Sequence, residues 1–123
     1  MSNFKKQHTF EQMKNESTLM RKKYPDRIPV IVEINQSRFR QNLPLLDKNK
    51  YLVPHDITVG QFLYIIRKKL NLEPSKAIFL MVNDILPPTS QLMGVIDSEH
   101  CEDNGFLFFT IYQENTFGLK TIF

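Results

Sequence analysis

The residues best suited to chemistry lie near the end of the chain, where Phe117-Gly118 precedes a short tail, residues 119–123. Glycine has no Cβ, so its backbone can approach another protein's active site more closely than that of any other residue. A glycine on a flexible arm is therefore suited to chemistry on its own carboxyl group by another protein. A near-terminal glycine is more often a loop residue before a frayed end. The helices and strands that precede Gly118 decide whether it is a reactive site or an ordinary loop residue.

A second group of chemically capable side chains is His100-Cys101-Glu102-Asp103. Its spacing matches no tetrahedral zinc pattern. The sequence identifies no helix N-terminus or base that would make Cys101 a nucleophile. A glycine-rich phosphate loop and a paired-carboxylate arrangement are also missing from the sequence. We therefore expect no metal, no cofactor and no catalytic residue, and a protein that is a substrate of enzymes, not an enzyme.

Composition indicates one domain with a real core, because 41% of the 123 residues are apolar and 10 are Phe. The single cysteine precludes an internal disulfide, which fits a reducing cytosol. The sequence has no signal-peptide pattern and no apolar run of about 18 residues, so neither secretion nor a spanning helix is expected. The net charge of +3 favours anionic partners without choosing among them.

Apolar periodicity predicts the order helix, strand, strand, helix, strand, short helix, strand. Two capping boxes, Thr9 with Gln12 and Thr58 with Gln61, mark the starts of the two longer helices. Pro25 ends the first helix, and the second is expected to run to about residue 71. The strands are predicted at 28–34, 50–54, 77–82 and 106–112, and the short helix at 90–97.

After the leading helix this order is ββαββ, which predicts a mixed four-stranded sheet with a crossover helix on one face. The expected fold class is α+β, a ubiquitin-like β-grasp with an N-terminal helical extension. The expected organisation is given by four segments: the helical extension 1–25, the ubiquitin-like domain 26–113, a flexible C-terminal arm 114–118 and a removable tail 119–123.

Several long stretches, in the same order, resemble the autophagy ubiquitin-like modifiers of the GABARAP type. They read RKKYPDRIPVIVE at 21–33, DKNKYLVP at 47–54, TVGQF at 58–62, PPTS at 87–90 and TFGL at 116–119. Such long motifs in order are far more specific than one short pattern. The connection 35–46 and the tail after Gly118 are longer than is usual in that family. The first departure bears on partner preference and the second only on processing.

The resemblance implies that a cysteine protease cleaves after Gly118, and that an ATP-using activating enzyme and a conjugating enzyme then pass the glycine carboxyl group to phosphatidylethanolamine. The lipid-linked protein would recruit cargo receptors and autophagy factors to the membranes of autophagosomes and other cytoplasmic vesicles, and the free protein would be cytoplasmic. Phe117 would either fill a pocket on these enzymes or fold back on the domain. A tail of this length cannot span roughly 30 Å of hydrocarbon, so we interpret it as a removable segment.

The resemblance also implies a docking site for short aromatic-x-x-aliphatic peptides along the strand 50–54, by addition of a strand to a sheet edge. The implied aromatic pocket is formed by Glu16, Met20, Pro29, Ile31, Lys50, Leu52 and Phe106. The implied aliphatic pocket is formed by Tyr51, Val53, Pro54, Ile57, Phe62, Ile65 and Ile66. Lys48 and Lys50 would attract acidic flanking residues, and Arg27 would pair with an acidic group of the peptide.

Each of these assignments has a plainer alternative. Edge lysines also protect a sheet from aggregation, and Phe62 and Ile66 would by themselves be assigned to the core. Joint replacement of Tyr51 and Leu52 by Ala is expected to weaken peptide binding without unfolding the domain.

Two basic runs lie at the ends of the predicted helices. The run 21–23 would contact acidic tubulin tails or anionic lipid, whereas the run 67–69 is interpreted as a solvated helix end. The alternative function is a non-conjugated ubiquitin-fold adaptor that links vesicles or receptors to microtubules. Nucleic-acid binding is not expected, because the chain lacks a major-groove helix motif and an aromatic-plus-basic strand signature.

Overall fold

The computed structural model describes residues 3–34, 49–72 and 75–113. In chain order the elements are α1 (Asn3–Gln7), α2 (Phe10–Lys23), β1 (Arg27–Ile34), β2 (Lys50–Pro54), α3 (Val59–Leu70), β3 (Ile78–Met81), α4 (Met93–His100) and β4 (Leu107–Gln113). The predicted order is confirmed, with the short helix α1 added in front of it.

The four strands form one sheet in the order β2-β1-β4-β3. β1 is antiparallel to β2 and parallel to β4, and β3 is antiparallel to β4. In the predicted hairpin, Ile28 lies opposite Val53 and Val30 lies opposite Tyr51. The mixed sheet and the crossover helix α3 confirm the ubiquitin-like β-grasp, and β2 is one of its two edge strands.

Both capping boxes form as predicted. The Thr9 hydroxyl accepts a hydrogen bond from the Gln12 backbone N–H at 3.1 Å, and the Gln12 side chain accepts one from the Thr9 N–H at 2.8 Å. Thr58 and Gln61 make the same pair of bonds at 3.1 and 2.8 Å. These bonds satisfy N–H groups that would otherwise have no partner at a helix start. α3 ends at Asn71, whose backbone is left-handed with φ 53°.

The short helix runs from Met93 to His100, so the prediction of 90–97 placed both of its ends three residues too early. The carbonyl groups of Thr89 and Gln91 accept hydrogen bonds from the N–H groups of Gly60 and Val59 at 2.9 and 2.8 Å. Leu92 forms an antiparallel bridge with Thr58. These long-range bonds hold residues 89–92 against the start of α3. The helix α4 can therefore begin only at Met93, after the last of these residues.

The sheet is covered on both faces. On one face, Ile28, Val30 and Val32 of β1 pack with Phe62 and Ile66 of α3 in the main core. On the other face, a second cluster contains Phe4, Met13, Ile31 and Phe106, with Met20 and Phe108 packed against it. The helices α1 and α2 therefore form part of the folded unit, because their apolar residues cover a face of the sheet that would otherwise be exposed.

A close approach at Gly105 fixes α2 on the domain. Gly105 has φ +90°, and a Cβ built on it would overlap the Ser17 hydroxyl and lie 2.7 Å from the Ser17 Cβ. Ser17 is 1% exposed and donates a hydrogen bond to the Asn104 carbonyl at 2.7 Å. Only glycine meets both the conformational and the spatial requirement.

Gly105→Ala is therefore expected to lower the free energy of unfolding by about 2 kcal/mol or more, through backbone strain and steric overlap. Urea unfolding would measure this loss. In a Ser17→Gly background the overlapping atoms are gone, so the loss should be smaller. An equal loss in both backgrounds would show that the contact with α2 contributes nothing.

Candidate functional site

The edge strand β2 is the element around which the predicted peptide-binding residues gather. Its residues alternate between half-buried and buried, starting with half-buried Lys50. Tyr51 and Val53 point into the main core beneath α3. Lys50 and Leu52 therefore point to the opposite face, because successive strand residues point to opposite sides.

The residues predicted for the two pockets consequently lie on opposite faces of the sheet. On the α3 face, Phe62 and Ile66 belong to the main core and Ile57 packs against it. On the α2 face, Ile31 and Phe106 belong to the second cluster and Met20 packs against it. At this edge of the sheet, the residues of the predicted aromatic pocket thus lie on one face and those of the predicted aliphatic pocket lie on the other.

This separation matches the spacing of the peptide motif. In an extended chain, residues three apart point to opposite faces of the strand. A peptide strand added to β2 would therefore present an aromatic residue to one face and an aliphatic residue three positions later to the other. Only β1 pairs with β2 among the strands that the structure describes.

The aliphatic side combines core residues with surface residues. Tyr51 is 8% exposed, Phe62 1% and Ile66 0%, so these residues hold the domain together in addition to any binding role. Val53 is also a core residue. Ile65 is 40% exposed, and Ile57 and Pro54 are half-buried. A partner docked on this side would therefore contact these three residues directly, with the core residues buried behind them.

The aromatic side has a buried floor and a polar rim. Pro29, Ile31 and Phe106 are buried, whereas Glu16, Met20, Lys50 and Leu52 are half-buried. At the rim, the Lys50 ammonium group forms an ion pair with the Glu16 carboxylate. Arg27 is exposed at the start of β1, opposite Pro54. Lys48 lies outside the described residues, as do Phe117 and Gly118.

The first basic run, residues 21–23, is not uniformly exposed to solvent. The Arg21 guanidinium donates to both carboxylate oxygens of Asp97, at 2.9 and 2.8 Å, and to the Gly105 carbonyl. The bond to Asp97 raises the pKa of Arg21. Arg21 therefore joins α2 to α4, and Lys22 and Lys23 are the exposed members of the run.

The second basic run is likewise divided. Arg67 donates a hydrogen bond to the Lys76 carbonyl at 2.6 Å, whereas Lys68 and Lys69 are exposed at the end of α3. The interpretation of a solvated helix end is thus confirmed for the two lysines and wrong for Arg67.

The described residues also bear on three other kinds of site: a cysteine nucleophile, a metal site and a membrane-spanning helix. Partial burial of its sulfur and the neighbouring Asp97 carboxylate raise the pKa of the Cys101 thiol, which disfavours the thiolate that a nucleophile requires. Within residues 3–34, 49–72 and 75–113, no group of three or more His, Cys, Asp or Glu side chains is arranged to hold a metal ion. None of the helices in those ranges combines the length with the apolar character that a membrane span requires.

Sequence reasoning missed Phe4, which is 2% exposed on the α2 face of the sheet. Its ring stacks on His8 at 4.1 Å and meets Phe106 edge-on at 5.6 Å. The sequence signal was the pair Phe4 and His8 at i and i+4, which lie on one face of a helix. A helix as short as α1 gives too few turns for its periodicity to be recognised.

The family described as "Autophagy protein Atg8 ubiquitin like" matches residues 12–118, which include the described sheet and its flanking helices. The chain belongs to the Atg8 family. It is 52% identical over 117 residues to Autophagy-related protein 8 of Mycosarcoma maydis, covering 95% of this chain and 97% of that one. It is 49% identical over 119 residues to Autophagy-related protein 8d of Arabidopsis thaliana, covering 97% of each.

Solved structures of other family members agree with this fold. Trypanosoma brucei ATG8 superposes with a TM-score of 0.84 at 37% identity, covering 93% of this chain and 96% of that chain. Plasmodium falciparum Atg8, in complex with a Plasmodium falciparum Atg3 peptide, superposes with a TM-score of 0.81 at 33% identity, covering 91% and 96%. The predicted family and fold are therefore confirmed.

Proposed function

We propose that this Atg8-family chain is a conjugated modifier of autophagy, cleaved after Gly118 and joined through the new glycine carboxyl group to phosphatidylethanolamine. The family match supports this, because it ends at residue 118, the glycine itself. The last described strand, β4, ends at Gln113. Gly118 therefore follows the last described strand in sequence, and cleavage after it would leave every described strand of the sheet intact.

The chemistry of conjugation would come entirely from partner enzymes. A cysteine protease would expose the carboxyl group of Gly118, and an activating enzyme would use ATP to form a thioester. A conjugating enzyme would then transfer the acyl group to the lipid amine. The lipid-linked form would reside on autophagosomal and other vesicle membranes, and the free form in the cytoplasm. Loss of residues 119–123 followed by a phosphatidylethanolamine adduct, both read as intact mass after exposure to cytosol, would test this sequence.

The second part of the proposal is recruitment of cargo receptors and autophagy factors through the β2 edge. The observation that carries it is the placement of the aromatic and aliphatic sets on opposite faces of β2, as a motif with three-residue spacing requires. Backbone bonds to the edge would supply affinity and the two pockets specificity. The Plasmodium falciparum relative in complex with an Atg3 peptide supports extending this binding to a conjugating enzyme.

A persistently intact tail after exposure to cytosol would favour the alternative, an adaptor that is never conjugated. For contact with tubulin tails or anionic lipid, Lys22 and Lys23 are the available cations of the first run, because Arg21 is bonded to Asp97. This contact would be secondary to the lipid attachment.

Charge reversal at Lys48 and Lys50 tests the electrostatic part of recruitment. Lys48→Glu/Lys50→Glu is expected to lower the association rate of an acidic-flanked peptide by about tenfold at low salt and less at high salt, since steering is screened. A neutral-flanked peptide should lose much less. Stopped-flow measurements with both peptides at two salt concentrations would show this.

The matched control is Lys22→Glu/Lys23→Glu, which makes the same change in net charge at exposed positions on the end of α2. It should leave both peptides nearly unaffected. Because Lys50 pairs with Glu16, a Lys50→Gln variant separates loss of a cation from new repulsion between carboxylates. Equal losses for both peptides at both salt concentrations would mean that the lysines act through shape or folding.

A further inference from the structure

A groove of about 620 Å³ lies between the start of α2 and the segment that joins α4 to β4. Phe10, Glu99, Asp103 and Asn104 are among the residues that line it, and we call it the α4 groove. Asn83, which follows β3, lines it as well. The α4 groove therefore lies beside β3, the edge strand opposite β2, and a ligand bound in it would not compete with a peptide added to β2.

The α4 groove carries the opposite charge to the chain as a whole. Three carboxylates line it, those of Glu99, Glu102 and Asp103, together with one lysine, Lys5. Lys5 pairs with Glu102 at 2.5 Å. Glu99 and Asp103 are exposed and form no ion pair with any other residue that the structure describes. Because the chain has a net charge of +3, this local excess of negative charge favours a cationic ligand at the α4 groove.

A buried amide lines the same groove. Asn104 is 5% exposed. Its Oδ1 atom accepts a hydrogen bond from the Phe106 N–H at 2.9 Å, which fixes the orientation of the amide. Its Nδ2 group has two protons but donates only one bond within the described residues, a long one of 3.4 Å to Glu102. One N–H of this buried side chain is therefore left for an acceptor on a ligand, such as the backbone carbonyl of a peptide.

An exposed aromatic ring completes the α4 groove. Phe10 is 56% exposed. Among the described residues, no lysine or arginine lies over its ring. The guanidinium group of arginine stacks on aromatic faces and pairs with carboxylates through its planar fork, whereas an ammonium group acts as a point charge. A ring beside two unpaired carboxylates therefore suits arginine better than lysine.

We propose that the α4 groove binds an extended, arginine-containing segment of a partner protein. One guanidinium group would stack on Phe10 and pair with the carboxylates of Glu99 and Asp103. A backbone carbonyl of the segment would accept the remaining N–H of Asn104. The inference does not depend on docking at β2, and one partner could occupy both sites at once.

Fluorescence anisotropy with the full chain would measure binding of a labelled peptide in which Arg and Gly alternate. Glu99→Gln/Asp103→Asn is expected to weaken binding about tenfold at low salt, and Phe10→Leu about threefold. The matched control Asp26→Asn/Asp56→Asn removes the same charge from exposed positions outside the α4 groove and should change little. The same peptide with citrulline in place of arginine should not bind.

A second measurement reports the contact with the buried amide. In NMR spectra of the labelled chain, the Arg-Gly peptide should shift the side-chain amide resonances of Asn104, whereas an aromatic-x-x-aliphatic peptide should leave them unchanged. Glu99, Asp103 and Phe10 are exposed, so their variants should keep the melting temperature of the wild type.

Several results would overturn the inference. Equal losses in Glu99→Gln/Asp103→Asn and in the control would show that binding follows net charge alone. Spermine binding as tight as that of the peptide, or peptide binding without a shift at Asn104, would show a bare cation site. Self-association of the chain that Glu99→Gln/Asp103→Asn abolishes would identify a second copy as the occupant. If the wild type bound an aromatic-x-x-aliphatic peptide but not the Arg-Gly peptide, this inference would fail and the proposed docking function would stand.

Discussion

Gly118→Ala is expected to abolish attachment to phosphatidylethanolamine while leaving the domain folded. The substitution lies outside the described cores, so the melting temperature should not change. In the proposed sequence of reactions, however, the backbone at this glycine would pass through the active sites of a protease, an activating enzyme and a conjugating enzyme in turn. Even a methyl group restricts both the space and the φ angles available there. Intact-mass analysis in a conjugation-competent extract would show no lipid adduct.

A matched pair of controls separates cleavage from conjugation. Thr116→Ala changes a nearby residue of the arm and should be processed and lipidated normally. A chain truncated after Gly118 needs no protease and should be conjugated directly, whereas the same truncation with Gly118→Ala should not. If Gly118→Ala formed the adduct as well as wild type does, Gly118 would not be the acceptor. If wild type itself formed no adduct, the adaptor function would be favoured.

The parts of the fold that sequence reasoning predicted are those governed by local chemistry. Thr58 and Gln61 form their capping box through bonds to each other's backbone, and these need no information from the rest of the chain. Apolar periodicity similarly predicted the order of the elements, because it depends on local spacing. The edge position of the strand 50–54 was implied by the resemblance.

The parts that escaped prediction depend on contacts distant in sequence. Arg21 finds its partners at Asp97 and Gly105, so its role in joining α2 to α4 cannot be read from a run of basic residues. α4 begins late because Leu92 bridges to Thr58. The same holds for the candidate site. The resemblance placed Tyr51 in a pocket, whereas its place in the core depends on packing against residues distant in sequence.

The largest effect on stability is expected from Tyr51→Ala. Tyr51 is 8% exposed, and its ring meets Phe62 edge-on at 6.0 Å in the main core. Burial also raises the pKa of its phenol group. Removal of a buried aromatic ring typically costs about 3–5 kcal/mol. Because small domains are only marginally stable, the expectation that Tyr51 and Leu52 could be replaced together without unfolding needs correction.

Single substitutions at the two adjacent positions separate folding from binding. Leu52 is half-buried on the opposite face of β2, so Leu52→Ala should cost less stability than Tyr51→Ala and weaken an aromatic-x-x-aliphatic peptide by about 2 kcal/mol if Leu52 is a hot spot. Tyr51→Phe keeps the ring in the core and serves as the conservative control. Urea unfolding gives the first quantity and calorimetry the second.

The contrast between these two residues is decisive because they are adjacent along the strand, whereas their side chains lie on opposite faces of the sheet. If Leu52→Ala lowered stability as much as Tyr51→Ala, both faces of β2 would serve the core, and the effect on peptide binding would follow from unfolding. If Leu52→Ala left both stability and peptide affinity unchanged, the α2 face of β2 would carry no anchor. The two-sided docking of a peptide strand would then have to be abandoned, even though the chain belongs to the Atg8 family.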